Sequence, residues 1–533
     1  MHNQSNTAAG AAIGKPYLYL TVFTGGMVTL AVELTASRLL GSVFGTSNIV
    51  WANVIGLILL YLTVGYFVGG RLADRMPHPR AMFRIMIWAA FLSALVPLIA
   101  RPVLSAAASA VLDADAALGL GSFIAVLILF AVPITLLGTV SPFAIRLAIQ
   151  DARDAGRISG QIYAISTLGS LLGTFLPTLL IIPEVGTFGT FMIFSGVLFL
   201  VAWIGLLRQS GPRAFIWWIM PVVIALLAWA VLYGPLRAPR EGQTLLYDRE
   251  SGYNYIQVTE DARGYRFLLL NEGQGIHSIY HPDIYRYNGT WDYFLAAPYF
   301  VPQTTPDEID SLLVIGLAAG TIPRQHQHVY GDIRMAGIEI DPRIIEAAGL
   351  YFDMNDQAMP SLEVYAQDGR YMLNRLTDRY DVIAIDAYRP PYIPWHLTTV
   401  EFFAEVRAKL TDDGVVAINV GRTPDDRRLV DALSRVLSET FVSVHAIDVP
   451  RSFNTILIAT QTATGIRALE ENLAALPADV NPLLLDVLVT AAESLVPVNY
   501  SDLLFTDNRA PVETLVDSLV VNFLLSGDTE LIR

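Results

Sequence analysis

The sequence predicts a polytopic α-helical membrane domain of about seven spans. A small antiparallel β unit and then a doubly wound α/β domain follow it. Three observations predict this arrangement. Long apolar runs fill the chain to about Tyr233, and an ordinary globular mixture follows Arg240. From Ser311 onward, short apolar strands alternate with helical stretches, the pattern of a parallel sheet covered on both faces. In the stretch YDVIAIDAYRPPYIPWHLTTVEFF, Tyr380–Phe403, an apolar run ends on Asp386 and a Pro-rich loop follows. A buried parallel strand delivers a carboxylate to the C-terminal edge of a sheet in this way.

Composition narrows the classes. At 533 residues, more than one domain is expected. Hydrophobic residues make up 53% and charged residues 16%, too apolar for an ordinary soluble protein. A net charge of −14, with no basic cluster interleaved with aromatics, argues against a nucleic-acid binder. The absence of Cys excludes disulfides, thiolate metal sites and a Cys nucleophile. The eight His show no metal spacing, and His326 and His328, in a QHQH run, read as a polar helix end. No metal is therefore expected. The first apolar run is too long for a cleavable signal and more runs follow it.

Seven runs are long and apolar enough to cross a bilayer as helices: Tyr17–Leu40, Ile49–Gly70, Ala81–Ala100, Phe123–Ile145, Gln161–Pro183, Phe188–Leu207 and Ala214–Tyr233. Small residues within them, such as Gly169, Ser170 and Gly173, suit close helix packing. Arginines cluster after the second, fourth and sixth runs, which predicts those loops and the N-terminus to be cytoplasmic. Seven spans would then leave the C-terminal half outside. A cytosolic cofactor, argued below, favours a cytoplasmic catalytic domain instead.

The expected boundaries are 1–236 for the membrane domain, 237–302 for the linker and small β unit, and 303–533 for the α/β domain. From Leu245 to about Pro302 the pattern reads as β, with turn residues between short runs. Beyond it, SLLVIG, MAGIEI, LEVYAQ, YDVIAIDA and GVVAINV read as five successive strands. The C-terminal PVETLVDSLVVNFLL is amphipathic and reads as a docking helix rather than a further span.

Four landmarks fall at strand ends, in order. Gly316 and Gly320 bracket a tight turn after SLLVI that permits close approach of a nucleoside. Glu339 lies nineteen residues beyond Gly320, followed by Asp341, where an acid accepts hydrogen bonds from ribose hydroxyls. Asp368 and Gly369 follow the next strand, where an acid can read an adenine amino group. Asp386 comes fourth. Each alone could be a surface carboxylate. Their joint order fits a nucleoside-binding, Rossmann-like sheet of the methyltransferase kind.

With these motifs in hand, the region from Leu245 to about Leu515 resembles the spermidine synthase (polyamine aminopropyltransferase) family, in its membrane-fused bacterial form. The resemblance rests on ESGYN from Glu250, LLVIGLAAG, GIEIDP, QDGR, YDVIAIDAYRP and HLTTVEFF. It implies a donor, S-adenosylmethionine or its decarboxylated form, and transfer of an aminopropyl group to an amine. It implies that Glu339 holds the ribose, Asp368 and Gly369 the adenine, and Asn254 the nucleoside, with Asp386 as the catalytic acid. A homodimer is carried over from soluble relatives.

The departures bear on the acceptor. Ala319 replaces an Asp of the family's glycine turn, and Arg389 stands where a second Asp is expected. His277 replaces a Gln, and Trp291-Asp292-Tyr293 replaces a Tyr-His-Glu. A guanidinium beside a dication is repulsive. His277, Asp292 and Arg389 are therefore candidate acceptor residues, for an acceptor other than a plain diamine. Two other readings stay open: a methyltransferase acting on a membrane-associated substrate, and a transporter or sensor whose soluble domain binds a nucleoside.

Overall fold

A computed structural model describes residues 13–44, 48–111, 117–149, 151–232, 239–271, 275–388 and 392–526. The chain divides into two compact units, Met1–Arg237 with Glu250–Gly252, and Ala238–Arg249 with Tyr253–Arg533.

The first unit is helical. Five stretches are long and apolar enough to cross a membrane, Lys15–Gly41, Asn48–Arg75, Pro79–Ala100, Leu120–Ala148 and Ala152–Ala230, which corrects the expected seven. The difference lies in the last stretch. Its 79 residues absorb three predicted runs, because a π-helical turn at Pro177–Ile181 and a 3₁₀ segment at Gly211–Trp218 keep the backbone hydrogen-bonded between them. Composition divides what hydrogen bonding keeps continuous. The stretch is not one straight rod, since Gly186 (φ 72°) and Gly211 (φ 60°) leave helical backbone geometry.

Close packing at small residues holds this unit together, as the sequence suggested. A Cβ on Gly169 or Gly173 would strike the carbonyl oxygens of Phe23 and Met27 on the first helix. Ser170 donates to the carbonyl of Gly26 at 3.1 Å across the same crossing. In lipid, where apolar surface gives no helix-to-helix driving force, such backbone approach and hydrogen bonding supply the cohesion.

The second unit begins with four antiparallel strands in sequential order, β1 (Gln243–Glu250), β2 (Tyr255–Asp261), β3 (Arg266–Leu270) and β4 (Ile276–Tyr280). The segment Thr290–Phe300, read as part of the β pattern, is a 3₁₀ helix buried along its length. Its continuous apolar run has no period with which to separate helix from strand. Eight strands follow: β5 (Ser311–Ile315), β6 (Arg334–Glu339), β7 (Leu362–Ala366), β8 (Tyr380–Ile385), β9 (Leu410–Gly421), β10 (Ser443–Asp448), β11 (Asn454–Thr460) and β12 (Leu495–Val496).

Their order in the sheet is β12-β10-β11-β9-β8-β5-β6-β7. The five strands from β7 to β9 are parallel, and β11 and β10 close that edge antiparallel. Strand β5 is buried on both faces, as a central parallel strand must be. One core joins the small sheet to the α/β layers: Ile256, Val258 and Leu268 share a buried cluster with Leu312, Val314 and Val382. The C-terminal helix Val512–Ser526 docks as expected, burying Val512, Leu515, Val516 and Leu519 against the other face of the sheet.

Candidate active site

The site forms where the sheet reverses direction. The chain leaves β5 towards β6 on one side and later enters β8 on the other. A crevice therefore opens between the carboxyl ends of β5 and β8. The Asp386 N–H donates to the Ile315 carbonyl at 2.9 Å, which fixes the acid beside the turn after β5. Gly316 opens that turn at φ 86°, and a Cβ there would lie 2.6 Å from the Asp386 carbonyl oxygen. Only glycine lets the two strand ends approach so closely. Gly320 closes the turn at φ 79° against Met354.

Strand β4 is stitched to the same turn. Ser278 accepts from the Ala319 N–H at 2.9 Å, and Thr321 exchanges hydrogen bonds with Ile279 at 3.0 and 3.1 Å. The position where the resemblance would put an Asp thus uses its backbone to bind the small sheet. This stitching carries His277, one residue before Ser278, to the mouth of the crevice.

Glu339 ends β6 as predicted. Its two carboxylate oxygens accept from the Ala318 N–H at 2.9 Å and the Asp341 N–H at 3.0 Å. Burial pushes its pKa up to about 7, against the opposing pull of those backbone donors. Asp341 caps the following helix, Pro342–Tyr351, through the Arg343 N–H. It also accepts from the Asn254 amide at 3.1 Å, and Asn254 accepts in turn from Asn271 at 3.2 Å. Glu339, Asp341 and Asn254 therefore form one connected group beside the glycine turn.

A cavity of about 490 Å³ brings Asp386 and His277 together with Trp291, Tyr388, Asn419 and Ala318. Ala318 belongs to both groups, since it lines the cavity and donates to Glu339. Asp386 is the one acidic side chain among the described lining residues. Burial raises its pKa to about 6, although hydrogen bonds from Asn419 and Trp291 favour its charged form. Burial also lowers the His277 pKa to about 4, so its imidazole is neutral at pH 7, and its Nε2 is buried without a hydrogen-bond partner.

A short relay supports the acid. The Asn419 amide donates to Asp386 at 2.8 Å, Asn454 donates to Asn419 at 2.9 Å, and Ser452 donates to Asn454 at 2.7 Å. The Tyr388 hydroxyl donates to the Asn419 carbonyl at 3.1 Å. The sequence reading missed Asn419 and Asn454. The available signal was an amide near the carboxyl end of GVVAINV, an otherwise apolar strand. Asn419→Leu removes a donor that favours the carboxylate. We expect the acidic limb of the pH–rate profile to move up by about 0.5–1 unit and the rate at pH 7 to fall by up to about twofold. Donor KM should hold within about twofold; an unmoved acidic limb would leave Asn419 a structural amide only.

The remaining predicted residues sit elsewhere. Asp368 caps the short helix Gly369–Leu373 through the Tyr371 N–H at 3.0 Å, and its other oxygen meets His396 Nε2 at 3.0 Å. That contact, ahead of its backbone bonds, holds its pKa below the usual carboxylate range. Gly369 lies against β5, where a Cβ would come 2.6 Å from Ile315 Cγ2. Asp292 is not in the cavity wall. It is fully buried, accepts from Gln325 at 2.5 Å and lies 3.5 Å from Arg286. Gln325 and His326 are themselves buried, so the QHQH run is helix interior at those positions rather than a polar end. Arg389 lies outside the described residues.

Residues 301–461 match the family model described as the spermine/spermidine synthase domain. Within the matched segment fall Glu339, Asp368, Asp386, Asn419 and Asn454. A probable polyamine aminopropyl transferase of Bifidobacterium longum is 33% identical over 224 residues, covering 42% of this chain and 48% of the relative. A polyamine aminopropyltransferase of Vibrio vulnificus is 27% identical over 279 residues, covering 50% of this chain and 89% of the relative. The chain thus spans about half the length of the first relative and most of the second. The crystal structure of a spermidine synthase from Thermotoga maritima aligns with a TM-score of 0.38 at 19% identity, covering 48% of this chain and 84% of that one.

Proposed function

We propose that this chain is a membrane-embedded aminopropyltransferase that uses decarboxylated S-adenosylmethionine as donor. The observation that carries the reading is Asp386, a carboxylate with a pKa near 6 facing a cavity at the switch point of the sheet. An ammonium is not a nucleophile, so the acceptor must lose a proton before or during attack. Asp386 takes that proton. The amine nitrogen then bonds to the carbon next to the sulfonium, and the carbon–sulfur bond breaks towards sulfur. Methylthioadenosine leaves. The carboxylate also stabilises positive charge that grows on the attacking nitrogen. Glu339, with the Gly316–Gly320 turn, would hold the ribose.

The acceptor reading follows from the same cavity. Asp386 is its one acid among the described lining residues, and Asp292 is committed to Gln325 and Arg286. Arg422, in the wall, is committed to Asp448 at 3.3 Å and Thr455 at 3.2 Å. Among the described residues a second ammonium would meet no counter-charge there, which supports an acceptor that presents one amine and a remainder that is not cationic. The same shortage of acids favours methyl transfer as the second reading. Placement of the catalytic unit on the cytoplasmic side of the inner membrane, and a homodimer, belong to this proposal.

Incubation with each donor and a panel of amines, with the nucleoside product read by mass spectrometry, tests it. Methylthioadenosine is the expected product. S-adenosylhomocysteine would replace the reading with methyl transfer. Nucleoside binding without turnover on any amine would leave a sensor or transporter.

A further inference from the structure

Six arginines of the helical unit differ sharply in how they are compensated. Arg146, Arg153 and Arg157 pair with Asp74, Asp151 and Asp154 at 3.1, 2.8 and 3.1 Å. Arg80, Arg84 and Arg213 instead line one cavity of about 520 Å³, and no acidic side chain lines it among the described residues. All three are exposed. Arg80 donates to the Gln209 carbonyl at 2.8 Å, and neither Arg84 nor Arg213 makes an ion pair among the described residues. Three guanidinium groups around one space repel one another unless an anion joins them.

The position of the cavity says what kind of anion. Arg80 and Arg84 lie in the first turns of the helix Pro79–Val111, and Ser210 ends the helix Ile182–Ser210. Both helices pass here from apolar sequence to arginine-bearing ends, the pattern of a spanning helix where it meets headgroups. The connecting 3₁₀ segment carries an aromatic belt: Trp203 packs edge-on against Phe215 at 5.2 Å and Trp218 at 5.5 Å, while Phe215 and Ile216 stay 56% and 72% exposed. Such belts sit at the membrane–water boundary. The cavity wall also mixes Leu206 and Trp217 with the guanidiniums, which suits an amphiphile better than a free ion.

We infer that Arg80, Arg84 and Arg213 form a binding site for the phosphate of an anionic phospholipid headgroup. The site is independent of the transfer chemistry proposed above.

The purified full chain in nanodiscs of phosphatidylglycerol or phosphatidylcholine, with retained lipid measured by native mass spectrometry, tests this. Wild type should retain phosphatidylglycerol at least tenfold over phosphatidylcholine. Arg84→Gln with Arg213→Gln should lose most of that preference; Arg80 is left intact because it holds a backbone carbonyl. Arg153→Gln with Arg157→Gln, removing equal charge at paired positions, should keep it. No preference in wild type, or equal loss in both double variants, overturns the site as a specific one. Inorganic phosphate at millimolar concentration should not displace the lipid; displacement, or phosphate binding with no lipid preference, would make the ligand a soluble anion and overturn the lipid assignment. Melting of each variant within about 3 °C of wild type in detergent separates lost binding from lost fold.

Discussion

Asp386→Asn should abolish transfer while making the protein more stable. The amide keeps the shape and its neighbours but cannot take a proton, so a rate loss of roughly 10²–10⁴ is expected. Donor affinity should stay within about threefold, because the proposed ribose-binding carboxylate, Glu339, lies on β6. The stability effect follows from linkage. Burial raises the Asp386 pKa to about 6, above the ordinary carboxylate range near 4. Between those values the folded chain binds more protons than the unfolded one, so stability falls as pH rises. Above about pH 6 the full cost persists, up to about 3 kcal/mol, less whatever the open cavity screens. Asp386→Asn removes that cost. It should melt a few degrees above wild type at pH 8 and level with it at pH 4. Undiminished turnover would remove Asp386 from the chemistry, and a melting difference independent of pH would remove the buried-charge explanation.

Glu339→Gln should have the opposite signature. Each hydrogen bond to a charged acceptor contributes about 1.5–3 kcal/mol, so loss of the carboxylate should weaken donor binding on the order of 10²-fold or more. The Glu339 pKa of about 7, raised by burial, adds a pH signature. Ribose hydroxyls bind the ionised form. Donor affinity should therefore fall as pH drops below 7, and binding near pH 7 should release a proton. Calorimetry in buffers of different ionisation heat reads that release directly. The variant should release none. Affinity within twofold of wild type would mean that Glu339 only braces the turn through Ala318 and Asp341.

These two variants separate functions at the ends of β6 and β8, the two strands that flank β5. Asp386 and Glu339 were both legible because a parallel strand ends in a fixed way: an apolar run of five or six residues, then a polar residue at the edge where ligands bind. The strand positions and the docking helix were legible for the same reason of periodicity. Asn419 was not. An amide inside an apolar strand gives no local sign that it meets Asp386, and the partnership exists only because β8 and β9 are adjacent. Asp292 erred the other way. An acid in a degraded motif looked available, but Gln325, from the following helix, and the nearby Arg286 take up its carboxylate. The span count failed for a third reason. Hydropathy marks where the chain is apolar, while the hydrogen bonding through Pro177–Ile181 and Gly211–Trp218 joins three apolar runs into one stretch that still bends at Gly186 and Gly211.

By itself, the sequence determined the membrane-plus-α/β class, the strand order of landmarks and the carboxylates at the strand ends. Local periodicity and the chemistry of strand termini carry that information within a few residues of each site. Tertiary structure alone decided which acid faces the cavity, which is consumed by internal partners, and which arginines stand without a counter-charge. Those facts depend on burial and on partners distant in the chain, and a buried charge takes its pKa and its role from whatever the fold brings beside it.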